Sequence, residues 1–445
     1  MAQAVLQERI SGRVLVPGDA GYDEARTVWN AMVDRRPRYI VQCTDSADVA
    51  AAVRFAREHD LDVGVRCGGH GIVGHAIADD GLTIDLRPMG TVVVDPAARR
   101  ARVAGGALLG ALDRATQEHG LATTAGNVSH TGVGGLTLGG GMGWLARQHG
   151  LSCDNVVSFE VVTASGETLR TSATEHPDLF WALRGGGGNF GVVTEFEFAL
   201  HPEAGHAVSA EFHYPVADAG PPMRRWRELS GSAPRQATYN ATITGQNVAL
   251  GLVWVGDPDE GAAAASDLGD ELARVAEPAA RIIERMSYLQ LQTREDDLEA
   301  HAWRRYWKGH YFNALHDELI DALLARNAAH LPDVSLQGYG GAIADVPDDE
   351  TAFSRRDTAF EFVASSRWRD AHDDDAVMSV ARRYAGSLEP FASGAYVNVL
   401  GDDGVAGLRR AYSDEKLARL TAVKDDLDPE NVFHLNQNIR PSMDR

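Results

Sequence analysis

A histidine surrounded by glycines is the feature of this chain whose residue types and spacing point most directly to chemistry. Residues 65–75 read Val-Arg-Cys-Gly-Gly-His-Gly-Ile-Val-Gly-His, with His70 at the centre. Glycine tolerates positive φ and lets main-chain N–H groups approach a bound anion closely. A histidine fixed between such glycines lies against whatever group those N–H groups bind. The apolar run 61–65 predicts a short strand leading into the loop.

Two segments match the spacing Gly-x-Gly-x-x-Gly, residues 69–74 and 186–191. A dinucleotide fingerprint needs a strand before this spacing and a helix after it, because the helix N-terminus binds the pyrophosphate. The first segment is followed by a short polar stretch and a predicted strand, and the second runs directly into the predicted strand 192–200. We therefore exclude a Rossmann site. The chain also lacks Gly-x-x-x-x-Gly-Lys-Ser/Thr, which excludes a P-loop.

A third glycine cluster occupies residues 132–144, and its composition predicts a loop rather than a regular element. Such a segment can also be a buried crossover that only glycine can pack. Three glycine-rich stretches within 200 residues favour a different explanation, in which loops converge on one large anionic cofactor.

The predicted strands and helices that position these loops follow one pattern before residue 203 and a different pattern after it. Before it, the order is β-α-β around the histidine loop, followed by strands, a hairpin at 156–171 and the strand 192–200. After it, strands alternate with amphipathic helices, which is an α+β pattern. We predict strands at 207–214, 237–244 and 249–255, and helices at 261–275, 315–329, 357–369, 376–388 and 408–432.

Composition places the chain among soluble globular proteins. Its 445 residues suggest two or three domains, and its net charge of −21 argues against nucleic acid as a partner. The three cysteines do not form a disulfide framework or a zinc motif. The first sixteen residues lack an apolar signal segment and no long apolar run follows, so we expect a cytoplasmic protein without a membrane span.

Six short blocks of the sequence together resemble a known family. The chain is similar to the flavin oxidases of the vanillyl-alcohol oxidase/p-cresol methylhydroxylase (PCMH) superfamily, in the branch of berberine bridge enzyme and 6-hydroxy-D-nicotine oxidase. The blocks follow the family's order from about residue 35 to residue 440, and they are 66–71, 132–144, 149–156, 179–194, 428–433 and 436–439. Together they are highly specific, although any one glycine loop alone is a weak signal.

The resemblance implies an α+β fold of two domains. We expect a PCMH-type FAD-binding domain at 1–203, and a substrate domain with an antiparallel sheet at 204–400. Residues 401–445 return to the FAD domain. FAD would lie between the two domains, and we expect no metal.

The resemblance also implies that His70 bonds covalently to the 8α-methyl group of FAD. Many family members add a second bond from a cysteine, and Val128 occupies that position here. We therefore expect a single covalent bond. Cys153 falls in another block and is interpreted as structural. The residues expected to contact FAD are Arg66, Cys67, Gly68, Gly69, His70, Gly71, His75, Gly126, Thr131, Gly132, Gly135, Leu136, Gly139, Gly140, Gly141, Gly143, Asp154, Asn155, Val193, Asn436 and Asn438.

The proton-accepting group is sought in the second domain. Hydride transfer to flavin N5 requires a group that takes the accompanying O–H or N–H proton. Residues 396–399 resemble a Tyr-x-Asn-Tyr/Phe strand of the family, with Val399 replacing its second aromatic residue. Our candidates are Tyr396, Tyr339 and His310. Each of them could instead only pack in the core.

We expect an FAD-dependent oxidase that takes hydride from an alcohol or amine C–H, with O2 reoxidising the flavin to give H2O2. Its partners would be a small-molecule substrate and O2. A homodimer is compatible with the sequence. The alternatives are a tailoring oxidase of secondary metabolism that performs cyclisation or desaturation, and a flavin-binding protein without turnover. A carbohydrate oxidase is disfavoured, because those relatives usually carry the cysteinyl bond that Val128 precludes.

Overall fold

The N-terminal part of the chain forms a small sheet that ends at the histidine loop. The computed structural model describes residues 2–203, 205–296, 303–326 and 330–442. The sheet has the order β1-β2-β4-β3, in which β2 and β3 run parallel to β4. All four residues of β4 are buried, as expected for the central strand of a parallel array. The elements are α1 (Ala2–Glu8), β1 (Arg13–Leu15), α2 (Tyr22–Arg26), β2 (Tyr39–Gln42), α3 (Ser46–Glu58), β3 (Val63–Arg66) and β4 (Leu82–Asp85).

The next part contains an antiparallel sheet of five strands in the order β5-β6-β10-β8-β9. Val192 to Ala199 forms its central strand, and Phe196 and Phe198 are fully buried there. The elements are β5 (Val92–Asp95), β6 (Arg100–Ala104), α4 (Leu109–Gln117), β7 (Leu121–Ala122), α5 (Val133–Leu138), α6 (Ala146–His149), β8 (Val156–Val162), β9 (Thr168–Ser172), α7 (Pro177–Leu183), β10 (Val192–Ala199) and β11 (His201–Pro202).

The prediction of a loop throughout residues 132–144 is wrong at its start, where α5 lies. Glycine is a poor helix former, but Val133, Thr137 and Leu138 are buried on one side of this short helix. Their burial in the core outweighs the intrinsic propensity of the two glycines between them.

The third part is built on one antiparallel sheet of seven strands in the order β15-β12-β14-β13-β17-β18-β16. Every strand of this sheet comes from residues 206–368. The elements are β12 (His206–Pro215), α8 (Gly220–Ser230), β13 (Ala237–Thr244), β14 (Asn247–Val255), α9 (Pro258–Ala273), β15 (Ala280–Ser287), α10 (Tyr288–Thr293), β16 (Arg304–Phe312), α11 (Asp317–Leu324), β17 (Asp333–Gly338), α12 (Ala342–Asp345), β18 (Phe360–Trp368) and α13 (Asp374–Leu388).

The predicted helix at 357–369 is wrong, because this segment is the strand β18. Phe360, Phe362 and Ala364 are buried at every second position, which is the period of a strand. The predicted helix at 315–329 is shorter than expected and ends at Leu324, and residues 327–329 lie outside the described ranges.

The tail consists of two helices, α14 (Gly404–Ala411) and α15 (Asp414–Leu427), where a single helix at 408–432 was predicted. Ser413 separates them and accepts a hydrogen bond from the Lys416 N–H as the N-cap of α15. The α+β fold class is confirmed. Within the described ranges, none of the helices has both the length and the apolar character of a membrane span.

A buried ion pair connects the tail to the strand region. Lys424 and Asp428 are fully buried, and Lys424 Nζ lies 2.6 Å from Asp428 Oδ2. The same ammonium donates to the carbonyl groups of Asn189 and Phe433. The carboxylate also accepts from the N–H groups of Val432 and Phe433. This network anchors residues 428–433 against the loop that carries Asn189.

Removing one partner of this pair is predicted to destabilise the protein strongly. In Lys424→Met the Asp428 carboxylate remains buried without its cation, so we expect the free energy of unfolding to fall by about 3–5 kcal/mol. Urea unfolding of the FAD-loaded protein measures this change. The control is Arg419→Met, which breaks an exposed pair with Asp178 and should cost less than about 1 kcal/mol. Equal losses in the two variants would contradict the prediction.

Candidate active site

The glycine loops and the seven-stranded sheet enclose a cavity of about 470 Å³. Its walls come from the loops around His70, 126–136 and 186–193, from the face of β16 to β18, from 396–399 and from the tail at 433–437. Twelve of its lining residues are glycines, namely Gly68, Gly69, Gly71, Gly105, Gly126, Gly132, Gly134, Gly135, Gly186, Gly187, Gly188 and Gly191. The three glycine-rich stretches recognised in the sequence therefore meet in one place.

Two of these loops touch through their main chains. A Cβ atom on Gly68 would lie 2.3 Å from the Gly132 nitrogen, and one on Gly132 would lie 2.3 Å from the Gly68 nitrogen. No side chain fits at either position without moving the backbone. Glycine is required here because of this close approach, and the approach fixes the histidine loop against the start of α5.

His70 is held in place from several sides. Its Nε2 atom lies 2.6 Å from His130 Nδ1, and its Nδ1 atom lies 3.4 Å from Thr131 Oγ1. The Trp29 ring stacks on the imidazole with the centroids 4.8 Å apart, and the Arg305 guanidinium lies 3.9 Å from the Trp29 ring centroid. His70 and Thr131 line the cavity and His130 does not. The imidazole therefore contacts His130 through Nε2 and the cavity-lining Thr131 through Nδ1.

The cavity fits a large polar cofactor. Three of its lining residues carry a buried polar atom without a hydrogen-bond partner within the described protein, and these atoms are Asn127 Oδ1, Gln337 Nε2 and Asn436 Oδ1. Buried polar groups are normally hydrogen-bonded, so they point to a ligand that completes them. The glycine walls leave space for a phosphate backbone and a ring system. Val128 also lines the cavity.

A carboxyl group that the sequence analysis missed faces this cavity. Glu361 is the second residue of β18, and the register pairs it with Tyr311 on β16 and with Gln337 on β17. Tyr339 Oη donates a hydrogen bond of 2.6 Å to Glu361 Oε2 and lies 3.3 Å from Tyr311 Oη. Burial raises the pKa of Glu361 to about 7, and the Tyr339 hydrogen bond opposes this rise. A carboxyl with this pKa can accept or release a proton near neutrality.

Glu361 could have been found from the sequence. It is the single acidic residue in the apolar run 359–364, and strand periodicity would have turned it away from Phe360 and Phe362. The helical interpretation of 357–369 removed this signal.

Tyr396 lines the cavity, as expected of a site residue. Its hydroxyl accepts hydrogen bonds from the Gly141 N–H at 2.7 Å and from Asn398 Nδ2 at 2.8 Å. Burial raises its pKa well above the ordinary value of a phenol, so this phenol keeps its proton. Residues 397–399 form a single 3-10 turn and not the expected strand.

His310 lies on the opposite face of the sheet from the cavity. It follows Gly309 and precedes Tyr311 on β16, and successive residues of a strand point to opposite faces. Its Nε2 atom lies 2.8 Å from the Ala385 carbonyl oxygen, and Arg410 Nη2 lies 2.7 Å from its Nδ1. Burial lowers its pKa to about 4. His310 is a neutral residue that packs against α13, and this location gives it no contact with the cavity.

The other predicted cofactor residues divide into two groups. Those that line the cavity are Cys67, Gly68, Gly69, His70, Gly71, His75, Gly126, Thr131, Gly132, Gly135, Leu136, Val193 and Asn436. Those that lie outside its lining are Arg66, Gly139, Gly140, Gly141, Gly143, Asp154, Asn155 and Asn438. Members of the second group support the walls.

Asp154 shows how this second group acts. Its carboxylate pairs with the Arg356 guanidinium at 2.7 Å, and both side chains are buried. It also accepts from the Leu151 N–H. Arg66 is similar, because its guanidinium donates to the Ala25 carbonyl oxygen beneath the histidine loop. These residues connect neighbouring segments behind the cavity.

Two family descriptions match the chain. The one described as "FAD binding domain" covers residues 37–172, and the one described as "Berberine and berberine like" covers residues 395–440. An FAD-linked oxidoreductase of Dictyostelium discoideum is 31% identical over 442 residues, covering 98% of this chain and 96% of that protein. The (R)-6-hydroxynicotine oxidase of Paenarthrobacter nicotinovorans is 42% identical over 192 residues, which are 43% of this chain and 42% of that protein.

The fold agrees with solved structures of the same kind. The crystal structure of 6-hydroxy-D-nicotine oxidase from Arthrobacter nicotinovorans superimposes with a TM-score of 0.85 at 26% identity, covering 97% of this chain and 98% of that one. The glycine-walled cavity, the PCMH-type fold and these similarities define a flavoprotein oxidoreductase. The chain belongs to the berberine bridge enzyme-like family of FAD-linked oxidoreductases.

The contact between the two glycine loops yields a prediction. In Gly132→Ala the new Cβ meets the Gly68 nitrogen at 2.3 Å and Cys67 Sγ at 2.5 Å, so the loops must separate. We expect a loss of about 1–3 kcal/mol in the free energy of unfolding and a lower FAD content of the purified protein. Flavin absorbance relative to protein absorbance measures the content.

Gly386→Ala is the matched control, since a methyl group at this position in α13 would meet no atom within 4 Å. It should keep the FAD content of the wild type and be slightly more stable. A Gly132→Ala protein with full FAD content and wild-type stability would show that the loops tolerate separation.

Proposed function

We propose that the protein is an oxidase that removes hydride from an alcohol or amine C–H of a small organic substrate and uses O2 as the electron acceptor. The observation that carries this proposal is the buried Glu361 carboxyl in the cavity that the histidine loop lines. The similarity to 6-hydroxynicotine oxidases, whose names describe oxidation of a small organic molecule, supports the same conclusion.

The residues that line the cavity suggest which groups would bind FAD and which would bind the substrate. The glycine loops and His75 would hold FAD from the first part of the chain, and Asn436 would contact it from the tail. When bound, FAD supplies a hydride acceptor at N5 and returns two electrons to O2 as H2O2. Trp307, Gln337 and Val363 face the same cavity from the sheet and would enclose the substrate. Enclosure by these side chains excludes water from the reacting carbon.

Glu361 is proposed to take the proton. As the C–H bond of an alcohol or amine breaks, the O–H or N–H proton must leave, and a carboxylate that faces the cavity can accept it. Tyr339 is a positioning residue, because its hydroxyl donates to Glu361 Oε2 and stabilises the ionised carboxylate. The register places Gln337 directly beside Glu361, and Asn127 Nδ2 donates to Gln337 Oε1 at 3.1 Å. The strand next to Glu361 is thereby connected to the loop that precedes α5.

We also propose that FAD is bonded through His70 alone. The stacked Trp29 and the His130 contact restrict rotation of the imidazole, so a fixed ring nitrogen is offered to the cavity. If His70 donates its Nε2 proton to His130, its Nδ1 carries the lone pair that forms the bond. Val128 cannot form the second bond that a cysteine at this position would make.

The role of Glu361 predicts a pH-dependent loss of activity. The base works only when ionised, so the rate of flavin reduction in wild-type protein should rise with pH through about 7. In Glu361→Gln this limb should disappear, and the rate should fall by roughly 10²–10⁴-fold while FAD content is retained. Anaerobic stopped-flow with a panel of alcohols and amines measures the rate from loss of the visible flavin band.

Two variants serve as controls for this prediction. Glu284→Gln removes an exposed carboxylate from the edge strand β15 and should reduce flavin at the wild-type rate. Tyr339→Phe removes the hydrogen bond that favours the carboxylate, so the pH limb should move to higher pH. An unchanged pH profile in Glu361→Gln would rule out Glu361 as the base. Failure of the wild-type flavin to bleach with any substrate would favour a flavin-binding protein without turnover.

The covalent bond predicts a difference in colour after denaturation. Acid-precipitated wild-type protein should remain yellow, whereas His70→Ala should release its flavin into the supernatant. Mass spectrometry of the denatured chain measures the added FAD. His372→Ala, at an exposed position, is the control and should keep the bond. Wild-type protein that loses all its colour would overturn the covalent bond, and FAD binding would be judged separately from the native spectrum.

A further inference from the structure

A second cavity of about 630 Å³ lies at one end of the seven-stranded sheet, away from the glycine loops. It is formed where β13 begins, where β17 ends and where β18 begins, and α6 and the end of α8 close its sides. Its described lining includes Arg147, Arg227, Arg235 and His316 and contains no Asp or Glu. This composition contrasts with a chain that carries 63 acidic and 42 basic residues.

Arg147 is a buried cation without a carboxylate. It is 8% exposed, and no ion pair joins it to any described acidic residue. Its two terminal nitrogens donate to the carbonyl oxygens of Tyr339 and Ala233, and its Nε has no hydrogen-bond partner within the described ranges. Burial lowers its pKa, with the Arg235 charge adding to the effect. A buried charge of this kind is stabilised by an anion.

Thr358 supplies a second, independent observation. Its side chain lines the same cavity and is 2% exposed, and its Oγ1 atom has no hydrogen-bond partner within the described protein. Buried hydroxyl groups normally find partners, so this one is available to a ligand. Two unpartnered polar atoms on Arg147 and Thr358 therefore belong to one cationic cavity.

We propose that this cavity binds a small organic anion, whose carboxylate or phosphate oxygens contact Arg147 and Thr358. Guanidinium and hydroxyl groups are the donors that such oxyanions prefer. Tyr239, Leu315 and Phe360 provide an apolar wall for the rest of the molecule. Arg235 is half exposed and pairs with Asp345 at 2.6 Å, and its charge still acts on Arg147 and helps to lower the pKa of that guanidinium.

One residue connects the two cavities. Tyr339 lines the second cavity, its carbonyl oxygen accepts from Arg147, and its hydroxyl donates to Glu361 in the first. An anion bound to Arg147 would therefore be connected to the proposed base, Glu361, through Tyr339. The binding site itself does not depend on the proposed oxidase reaction.

Calorimetry of the FAD-loaded protein tests the site with two probes, benzoate and inorganic phosphate. Saturable binding of both indicates an oxyanion site, and binding of benzoate alone indicates an organic carboxylate site. In Thr358→Val, which removes one hydroxyl at constant shape, we expect the affinity to fall by roughly threefold to tenfold. Arg235→Gln should weaken binding as well, and added salt should reduce the difference between this variant and the wild type.

Arg285→Gln is the matched control, because it removes the same charge from β15, outside the cavity. Its affinities should equal those of the wild type. Arg147 is left unchanged, since its bonds to two carbonyl groups also support the fold. The proposal is overturned if neither probe binds saturably, or if Thr358→Val and Arg235→Gln bind both probes as the wild type does. The latter result would place the ligand in the first cavity, where Glu361→Gln and the flavin spectrum would report it.

Discussion

The main-chain contact between Gly68 and Gly132 is the constraint on which the rest of the site depends. It brings the loop after β3 against the start of α5, so the two glycine-rich stretches act as one wall. His70 stands two residues after Gly68, and His130 and Thr131 directly precede Gly132. The contacts of His70 with both residues follow from this arrangement. A side chain at either glycine would separate the histidine from the groups that orient it.

The second part of the site is fixed by contacts between the loops and the sheet. Asn127 donates to Gln337 across the cavity wall, and Arg356 pairs with Asp154 behind it. Further hydrogen bonds support the buried ion pair between Arg356 and Asp154, because Arg356 also donates to the Ile343 carbonyl oxygen and to Thr351. These links hold the sheet face that carries Glu361 against the loops that carry His70, as the proposed hydride transfer between two bound molecules would require.

The sequence was most informative where a residue type was forced by close packing. Gly68 and Gly132 admit no larger residue, and the glycine-rich stretches that contain them led to the cavity. The sheet face was harder to predict, because β16 and β18 mix aromatic, charged and small residues in an order that also suits a helix. Glu361 was consequently missed, because the predicted helix at 357–369 hid it. The strand period turns Glu361, with Tyr311 beside it, toward the cavity and His310 away from it.

A shifted pKa alone would not single out Glu361 as the candidate proton acceptor. Burial raises the pKa of Asp113 to about 7, the same value as for Glu361 and for the same reason. Asp113 lies on α4 and accepts from Gln292 on α10, so it joins two helices and does not face the cavity. Glu361 differs in its location, because it faces the cavity beside Gln337. A carboxyl without a cationic partner can change its protonation state during a reaction, and its position within the cavity is the reason that we propose Glu361 rather than Asp113 for that role.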